Sequence, residues 1–271
     1  MRAKPIILGM NPRQRALDLL CLCDPVAKAA QTRTLFAELD AQAIDPTERF
    51  EAPPLLPGRP PLPRLVPPKE VPTRSPFTAE GRAALLHAVT HIEFNAINLA
   101  LDAVWRFDGM PPPFYLDWLR VASEEALHFT LLREHLLTLG VDYGSFDAHD
   151  GLWTMTQRTA HDVTARMALV PRTLEARGLD AAPPMQAKLR QAGDLRAVEI
   201  LAVILRDEVG HVAIGNHWYR WLCARDGLDP IALYAELTLR YDAPRMRPPF
   251  NTEARLAAGF AQAELDALAG R

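Results

Sequence analysis

The chain has 271 residues, a formal net charge of −3 and 49% hydrophobic residues, enough for one large domain or two small ones with a sizeable core. The weak net charge gives no general reason to expect a nucleic-acid partner, and three cysteines are too few for a disulfide framework. The sequence has no apolar run long enough to span a membrane, and "MRAKPIILGMNPRQRAL" lacks the apolar core of a signal peptide. We therefore expect a cytoplasmic protein without a membrane span.

The first quarter of the chain predicts helices followed by an extended segment. Residues 12–41 have the leucine spacing of one or two amphipathic helices. The stretch "APPLLPGRPPLPRLVPPKEVP", residues 52–72, has too many prolines for a helix or a central strand. A solvated linker is the common meaning of such a composition. However, Leu55, Leu62 and Val66 favour a segment that wraps over a helical body, so we expect residues 1–77 to combine these helices with a wrapping segment.

Long helical patterns begin after Thr78, which is a suitable N-cap. We predict four long helices over residues 79–107, 114–139, 154–177 and 195–225, with a shorter helix over 185–191. Gly140, Gly178 and Gly227 are typical of helix ends. Because alternating strand patterns are absent, the prediction is an all-α protein with a ferritin-like four-helix bundle over residues 78–226. Residues 227–271 predict a C-terminal helical extension.

Each of the four long helices carries acidic residues or histidines among apolar neighbours. The first contains Glu93 in "HIEFNAINLALD", and the second contains "ASEEALHFTLL". The third contains a glutamate near its end, and the fourth contains "RDEVGH". The pattern Glu, Glu-x-x-His, Glu, Glu-x-x-His gives six candidate metal ligands: Glu93, Glu125, His128, Glu175, Glu208 and His211.

The spacing of these residues has a chemical meaning. Residues three apart lie on one helix face, so each Glu-x-x-His presents an oxygen and a nitrogen to the same point. Four buried carboxylates would repel one another unless cations neutralised them, and two metal ions fit this ligand set. The alternative is a scatter of solvated carboxylates with two core histidines. We favour the metal site because the pattern fills all four bundle positions.

A proline lies inside the third predicted helix. Pro171 precedes Glu175 by one turn, removes a backbone hydrogen bond and predicts a kink. The kink would either open space beside the metal ions or fit the helix to the curvature of the bundle.

Several stretches together resemble an uncharacterised bacterial family of ferritin-like proteins. They are "PGRPPLPRLVPPKEVP", "HIEFNAINLALD", "FYLDWLRVASEEALHF", "HDGLWTMTQRTAHDVTARMALVPRTLEARGLDA" and "RDEVGHVAIGNHWYRWLC". The sequence is also more distantly similar to the di-iron tRNA hydroxylase that oxidises the isopentenyl group of a modified adenosine. The resemblance implies the same six ligands in the same order. It does not imply a substrate, because one fold serves many functions.

Three functions are compatible with such a site. The one we favour is an oxidase or hydroxylase that uses two iron ions and dioxygen on an unknown small molecule or modified nucleoside. The second is a ferroxidase or other iron-handling protein, and the third is a bundle with a structural metal. Manganese chemistry is a further alternative. Because no nucleotide-binding motif is visible, an oxidase would need an external electron donor. The sequence leaves homo-oligomerisation open.

Overall fold

A computed structural model describes residues 10–270, and these residues are all-helical, as predicted. They form no β-strand, only an isolated parallel bridge between Leu65 and Ala148. The helices are α1 Pro12–Leu20, α2 Pro25–Ala37, α3 Ala79–Arg106, α4 Pro112–Thr138, α5 Gly151–Arg158, α6 Val163–Leu169, α7 Ala176–Gln191, α8 Leu195–Asp226, α9 Pro230–Arg240, α10 Thr252–Ala257 and α11 Gln262–Leu268. A π-helical turn, Val170–Glu175, joins α6 to α7.

The chain divides into two compact units. Among the described residues, the first contains 10–61 together with 93–130, and the second contains 62–92 together with 131–270. The predicted division of the sequence at residues 77 and 226 stays a prediction. Across residues 10–270, no helix is both long and apolar enough to cross a membrane.

Buried cations hold the N-terminal helices of the first unit. Arg13 donates from Nε to the carbonyl of Val104 and from an amino group to the carbonyl of Trp105, so it satisfies carbonyls at the C-terminal end of α3. Lys28 donates to the carbonyl of Gly58 at 2.9 Å and to Oδ1 of Asn98 at 2.5 Å. These bonds fix α1 and α2, so residues 12–41, for which one or two helices were predicted, form two.

The proline segment is attached through its backbone and not through the predicted leucines. Leu55 and Leu62 are 84% and 56% exposed, so the prediction that they are anchors is wrong. In the first unit, Gly58 donates its N–H to the carbonyl of Leu20 at 2.8 Å. A Cβ at Gly58 would lie 2.1 Å from the carbonyl oxygen of Cys21, so only glycine permits this approach.

In the second unit, the same segment pairs with the loop before α5. Val66 donates to the carbonyl of Ala148 at 2.8 Å, and Ala148 donates back to the carbonyl of Arg64 at 3.0 Å. This short parallel pairing uses the backbone groups that the prolines leave available. Because backbone groups make this attachment, it does not need the side chains of Leu55 and Leu62, which are exposed.

The first, second and fourth long helices follow the predicted bounds within a few residues, as α3, α4 and α8. Thr78 accepts a hydrogen bond from the N–H of Gly81 at 3.1 Å, which confirms it as the N-cap. Gly140 and Gly227 have φ values of 79° and 68°, the left-handed conformation that commonly terminates a helix.

The prediction of a third long helix over residues 154–177 is wrong, because the segment is interrupted and its ends differ from the predicted ones. The segment starts as α5, breaks after Arg158 and restarts as α6 with Asp162 as N-cap. Arg166 donates from Nε to Oγ1 of Thr159 at 2.8 Å across this break. Arg166 also donates from an amino group to the backbone carbonyl of Thr156. A side chain thus satisfies a backbone group at the break, an effect that hydrophobic periodicity does not reveal.

The helix also continues beyond its predicted end at Gly178. It runs through Pro183 and Pro184 to Gln191. A proline at position 183 leaves the carbonyl of Leu179 without its helical donor, and the side chain of Asn251 supplies a donor at 3.1 Å. Pro183 is thus tolerated because a distant residue supplies the hydrogen-bond donor that the proline lacks.

The C-terminal helices pack on α7 and α8 within the second unit. Their shared apolar cluster contains Ala176, Leu179, Val212, Ala258, Phe260 and Leu265. Arg255 is fully buried and donates to Asp180 of α7 at 2.6 Å. These contacts hold α10 and α11 beside α8, which carries Glu208 and His211, and beside α7, which follows directly after Glu175.

Candidate metal centre

Three predicted ligands lie together in the first unit. Glu93 is on α3, and Glu125 and His128 are on α4, where their three-residue spacing places them on one face. All three are buried, with exposures of 3%, 0% and 0%. The Nδ1 atom of His128 lies 3.1 Å from Oε2 of Glu93 and 3.3 Å from Oε2 of Glu125. Both helices are uninterrupted at these positions, so regular helix geometry relates Glu125 to His128, and the packing of α3 against α4 brings Glu93 to them.

Burial gives this group unusual electrostatics. Burial, and next the repulsion from Glu125, raise the pKa of Glu93 to about 8, although His128 opposes the shift. An isolated buried carboxylate is costly, and it either takes up a proton or binds a cation. The group is therefore a place where a metal ion would replace protons.

The other three predicted ligands lie in the second unit. Glu208 and His211 are on α8, and Oε1 of Glu208 lies 3.9 Å from Nδ1 of His211. Glu175 is the last residue of the π-helical turn. All three are buried, with exposures of 7%, 0% and 7% for Glu208, His211 and Glu175. The glutamate oxygen and histidine nitrogen of the motif are thus farther apart on α8 than on α4.

The kink predicted at Pro171 is a π-helical turn, Val170–Glu175. Such turns are rare, occur mostly as single turns within α-helices and are frequent at functional sites. Thr173 donates from Oγ1 to the carbonyl of Ala168 at 2.8 Å, which satisfies a carbonyl that the widened turn releases. The widened turn changes the direction in which Glu175 leaves the helix.

A glycine on α8 makes room for this turn. A Cβ at Gly215 would lie 2.6 Å from Cβ of Pro171, which is shorter than any normal contact. Sequence reasoning missed this position. The signal was a glycine inside a strong helical pattern, because such a glycine is unfavourable unless packing requires it.

Four of the six predicted ligands form one buried group. Each offers one ligand atom, and these atoms all lie within 4.8 Å of one another. Within residues 10–270, Glu175 and His211 are outside this group of four, although both are buried. The members of the group are Glu93, Glu125, His128 and Glu208.

Carboxylate oxygens and imidazole nitrogens are ligands that divalent transition metals accept. Burial, and next the neighbouring Glu125, raise the pKa of Glu93, so a cation at this place would be favourable. The donor set therefore fits a cation, and the buried Glu/His group could hold a metal ion.

These features define an all-helical protein with a buried carboxylate and imidazole site that could bind metal. Residues 21–266 match the family described as protein of unknown function (DUF455), and the chain belongs to this family. It is similar to an uncharacterized protein from Haemophilus influenzae, with 57% identity over 214 residues that cover 76% of this chain and 74% of the relative. No solved structure matches the chain. The resemblance to a family of unknown function is confirmed, and the likeness to ferritins and to the tRNA hydroxylase stays a prediction.

Proposed function

We propose that this protein is a di-iron carboxylate protein that oxidises or hydroxylates an organic substrate with dioxygen. The observation that carries the proposal is the buried group of three glutamates and one histidine. Its members include a residue from each of the two Glu-x-x-His motifs, on α4 and α8.

The proposed site uses all six predicted residues in a ferritin-like four-helix bundle. The four helical segments are α3, α4, the α6 to α7 segment and α8. Glu93, Glu125 and His128 would hold one ion. Glu175, Glu208 and His211 would hold the other, in the arrangement typical of di-iron carboxylate proteins. Four carboxylates would balance four positive charges of the ion pair.

The iron pair would supply the redox chemistry with dioxygen, and the chain would supply its surroundings. The six residues are at most 7% exposed, so the protein would exclude water and hold its ligands in place. Carboxylates are hard, anionic ligands that suit iron better than the thiolates of many structural sites.

An iron-handling protein without an organic substrate is the alternative. The oxidase is favoured because the chain adds structure around the proposed bundle. The segment at residues 52–72 is tied down by backbone bonds, and α10 and α11 pack on α7 and α8. A protein that only oxidises iron has no evident need for these additions.

The proposed reaction needs two partners that are outside the chain. Electrons would come from an external donor, and the substrate would be a small molecule or a modified nucleoside. Manganese in place of iron would use the same ligands.

Metal analysis and oxygen consumption test the proposal. Protein from an iron-replete host should contain about two iron ions per chain, and its absorbance in air should change after chemical reduction. A ferroxidase would consume dioxygen only when ferrous iron is added, whereas an oxidase would consume it with a reductant and an organic substrate. Protein that contains no metal, and that iron and manganese fail to stabilise, would contradict the metal site altogether.

A further inference from the structure

A large cavity lies near the C-terminal end of the second unit. It has a volume of about 850 Å³, within the range of small-molecule sites. Its walls are α9, the segment 242–247 and α11, and its floor includes Arg172 of the π-helical turn. None of its lining residues belongs to the predicted ligand set.

One side of the cavity is apolar and open to solvent. Leu239 is 78% exposed and Ile231 is 40% exposed, and Ala235, Met246 and Leu268 line the same cavity. Apolar side chains that gather around one concave surface mark a binding site more often than single exposed leucines do. The wall would favour an alkyl or similarly apolar group.

The floor is rigid and positively charged. Arg172 is 3% exposed and donates to Oδ1 of Asn216 and to Oε1 of Glu264, both at 2.8 Å. Its guanidinium also lies 5.1 Å from the ring centre of Tyr234. A second guanidinium, that of Arg220, binds Oε2 of Glu264 at 2.6 Å. Two cations therefore share one carboxylate, and Glu264 has no remaining charge with which to neutralise the rest of the cavity.

Two more arginines line the cavity in the segment between α9 and α10. Arg245 and Arg247 are exposed, and neither forms an ion pair with any residue from 10 to 270. The acidic lining residue other than Glu264 is Asp242. Cations therefore outnumber carboxylates in the lining, and Arg245 and Arg247 are available to a ligand.

We propose that this cavity binds an amphipathic anion, with an apolar body against α9 and an oxyanion head group on Arg245 and Arg247. A carboxylate or a phosphate suits these residues because guanidinium groups bind both with paired, charge-assisted hydrogen bonds. The site needs neither a metal ion nor the proposed oxidase activity.

Calorimetric titration of the full-length protein tests this site. Octanoate and octyl phosphate are the two probes, and their comparison distinguishes a carboxylate from a phosphate head group. Octanol and octylammonium have the same tail without the anion, and acetate and inorganic phosphate have the anion without the tail. We expect one saturable site per chain for an eight-carbon anion, and binding at least about tenfold weaker for all four controls.

Variants locate the site. The double variant Arg245→Ala and Arg247→Ala should weaken binding of the better probe by about tenfold or more. The exposed arginines Arg33 and Arg196 lie outside the cavity, and their double alanine variant should bind as the parent does. Glu208→Ala should also bind normally, which separates this site from the metal centre. Equal binding of octanol or octylammonium, or full affinity without Arg245 and Arg247, would overturn the proposal.

Discussion

The two Glu-x-x-His halves have the same ligand order but different supporting backbones. Glu93, Glu125 and His128 lie on the uninterrupted helices α3 and α4. In the other half, Glu175 ends a π-helical turn, and Glu208 and His211 lie on α8. The histidine nitrogen is 3.3 Å from the carboxylate oxygen of its motif in the first half and 3.9 Å in the second.

This difference shows that two motifs with the same sequence spacing can lie on different backbone structures. In the first half, the ordinary hydrogen-bond ladders of two regular helices, α3 and α4, hold the backbone of all three residues. The π-helical turn of the second half depends on contacts from other elements, such as the space that Gly215 leaves for Pro171. We therefore expect packing changes around the turn to disturb the second half more than the first.

The largest expected effect is loss of metal on removal of a ligand from either half. Glu125→Ala and Glu208→Ala should each weaken metal binding by more than the roughly 10–100-fold that loss of an outer hydrogen-bond partner causes. Metal content measured by elemental analysis should fall, while helical content by circular dichroism should stay near that of the parent.

The matched control is Glu236→Ala, because Glu236 pairs with Arg240 on the exposed side of α9. This variant should keep its metal. If both ligand variants retain full metal occupancy, the two halves do not form a metal site.

The second expected effect is a pH dependence of the metal-free protein that originates in the first half. The pKa of Glu93 is raised from 4.5 to about 8, mainly by burial and then by Glu125. Between these two values the folded protein retains a proton that the unfolded chain has released. The contribution of this proton to the free energy of unfolding is therefore fully present below the unfolded-state pKa of 4.5. It is lost as the pH rises through the folded-state pKa of about 8.

Urea denaturation in the presence of a chelator should show this fall in the free energy of unfolding. Glu93→Gln cannot titrate, so its profile should be flatter, whereas Glu236→Gln should follow the parent. Metal affinity should change in the opposite direction and increase with pH, because the metal displaces protons from its ligands. Stability of the metal-free parent that rises over this pH range would contradict the burial argument.

A smaller effect should distinguish two glycines on α8. Gly215→Ala places a Cβ 2.6 Å from Pro171, and such overpacking should lower the free energy of unfolding by about 1–3 kcal/mol. A Cβ at Gly210 would have no atom within 4 Å. Gly210→Ala should therefore be neutral or stabilising by up to about 1 kcal/mol through helix propensity.

Both glycine variants are compared by chemical denaturation of the metal-free protein, so that effects on ligands do not enter. Equal stability of Gly215→Ala and Gly210→Ala would show that Pro171 shifts to accommodate the added Cβ at little cost in free energy.

The sequence was sufficient for the parts of the fold that regular periodicity determines. Thr78 and Gly227 mark the start of α3 and the end of α8 as predicted, and the pattern of apolar residues predicted α3, α4 and α8 within a few residues. The shared direction of Glu125 and His128 was also predictable, because the Glu-x-x-His spacing places both side chains on one helix face. The same spacing did not predict that Glu208 joins them in the buried group while His211 lies outside it.

The remaining features depend on contacts between residues that are distant in the sequence. The continuation of α7 through Pro183 requires Asn251, which is far along the chain. The π-helical turn requires the matching glycine on α8. Local propensity cannot report either contact, since it counts only near neighbours.

The smallest expected effect concerns the hydrogen bond that permits Pro183 in α7. Asn251 donates to the carbonyl of Leu179 at 3.1 Å and also accepts from the N–H of Ala254 as the N-cap of α10. Serine retains the capping oxygen but cannot supply the amide donor. Asn251→Ser should therefore lower the free energy of unfolding by about 0.5–1.5 kcal/mol, and Asn251→Ala should lower it further because the cap is also lost.

A double-mutant cycle with Pro183→Ala separates this bond from other effects. Alanine at the exposed position 183 restores the N–H that bonds to Leu179 within the helix. In that background, Asn251→Ser should cost less than it does in the parent, and the difference is the coupling energy between the two positions. An equal cost in both backgrounds would mean that Asn251 stabilises α10 alone. α7 would then accommodate Pro183 without the hydrogen bond from Asn251.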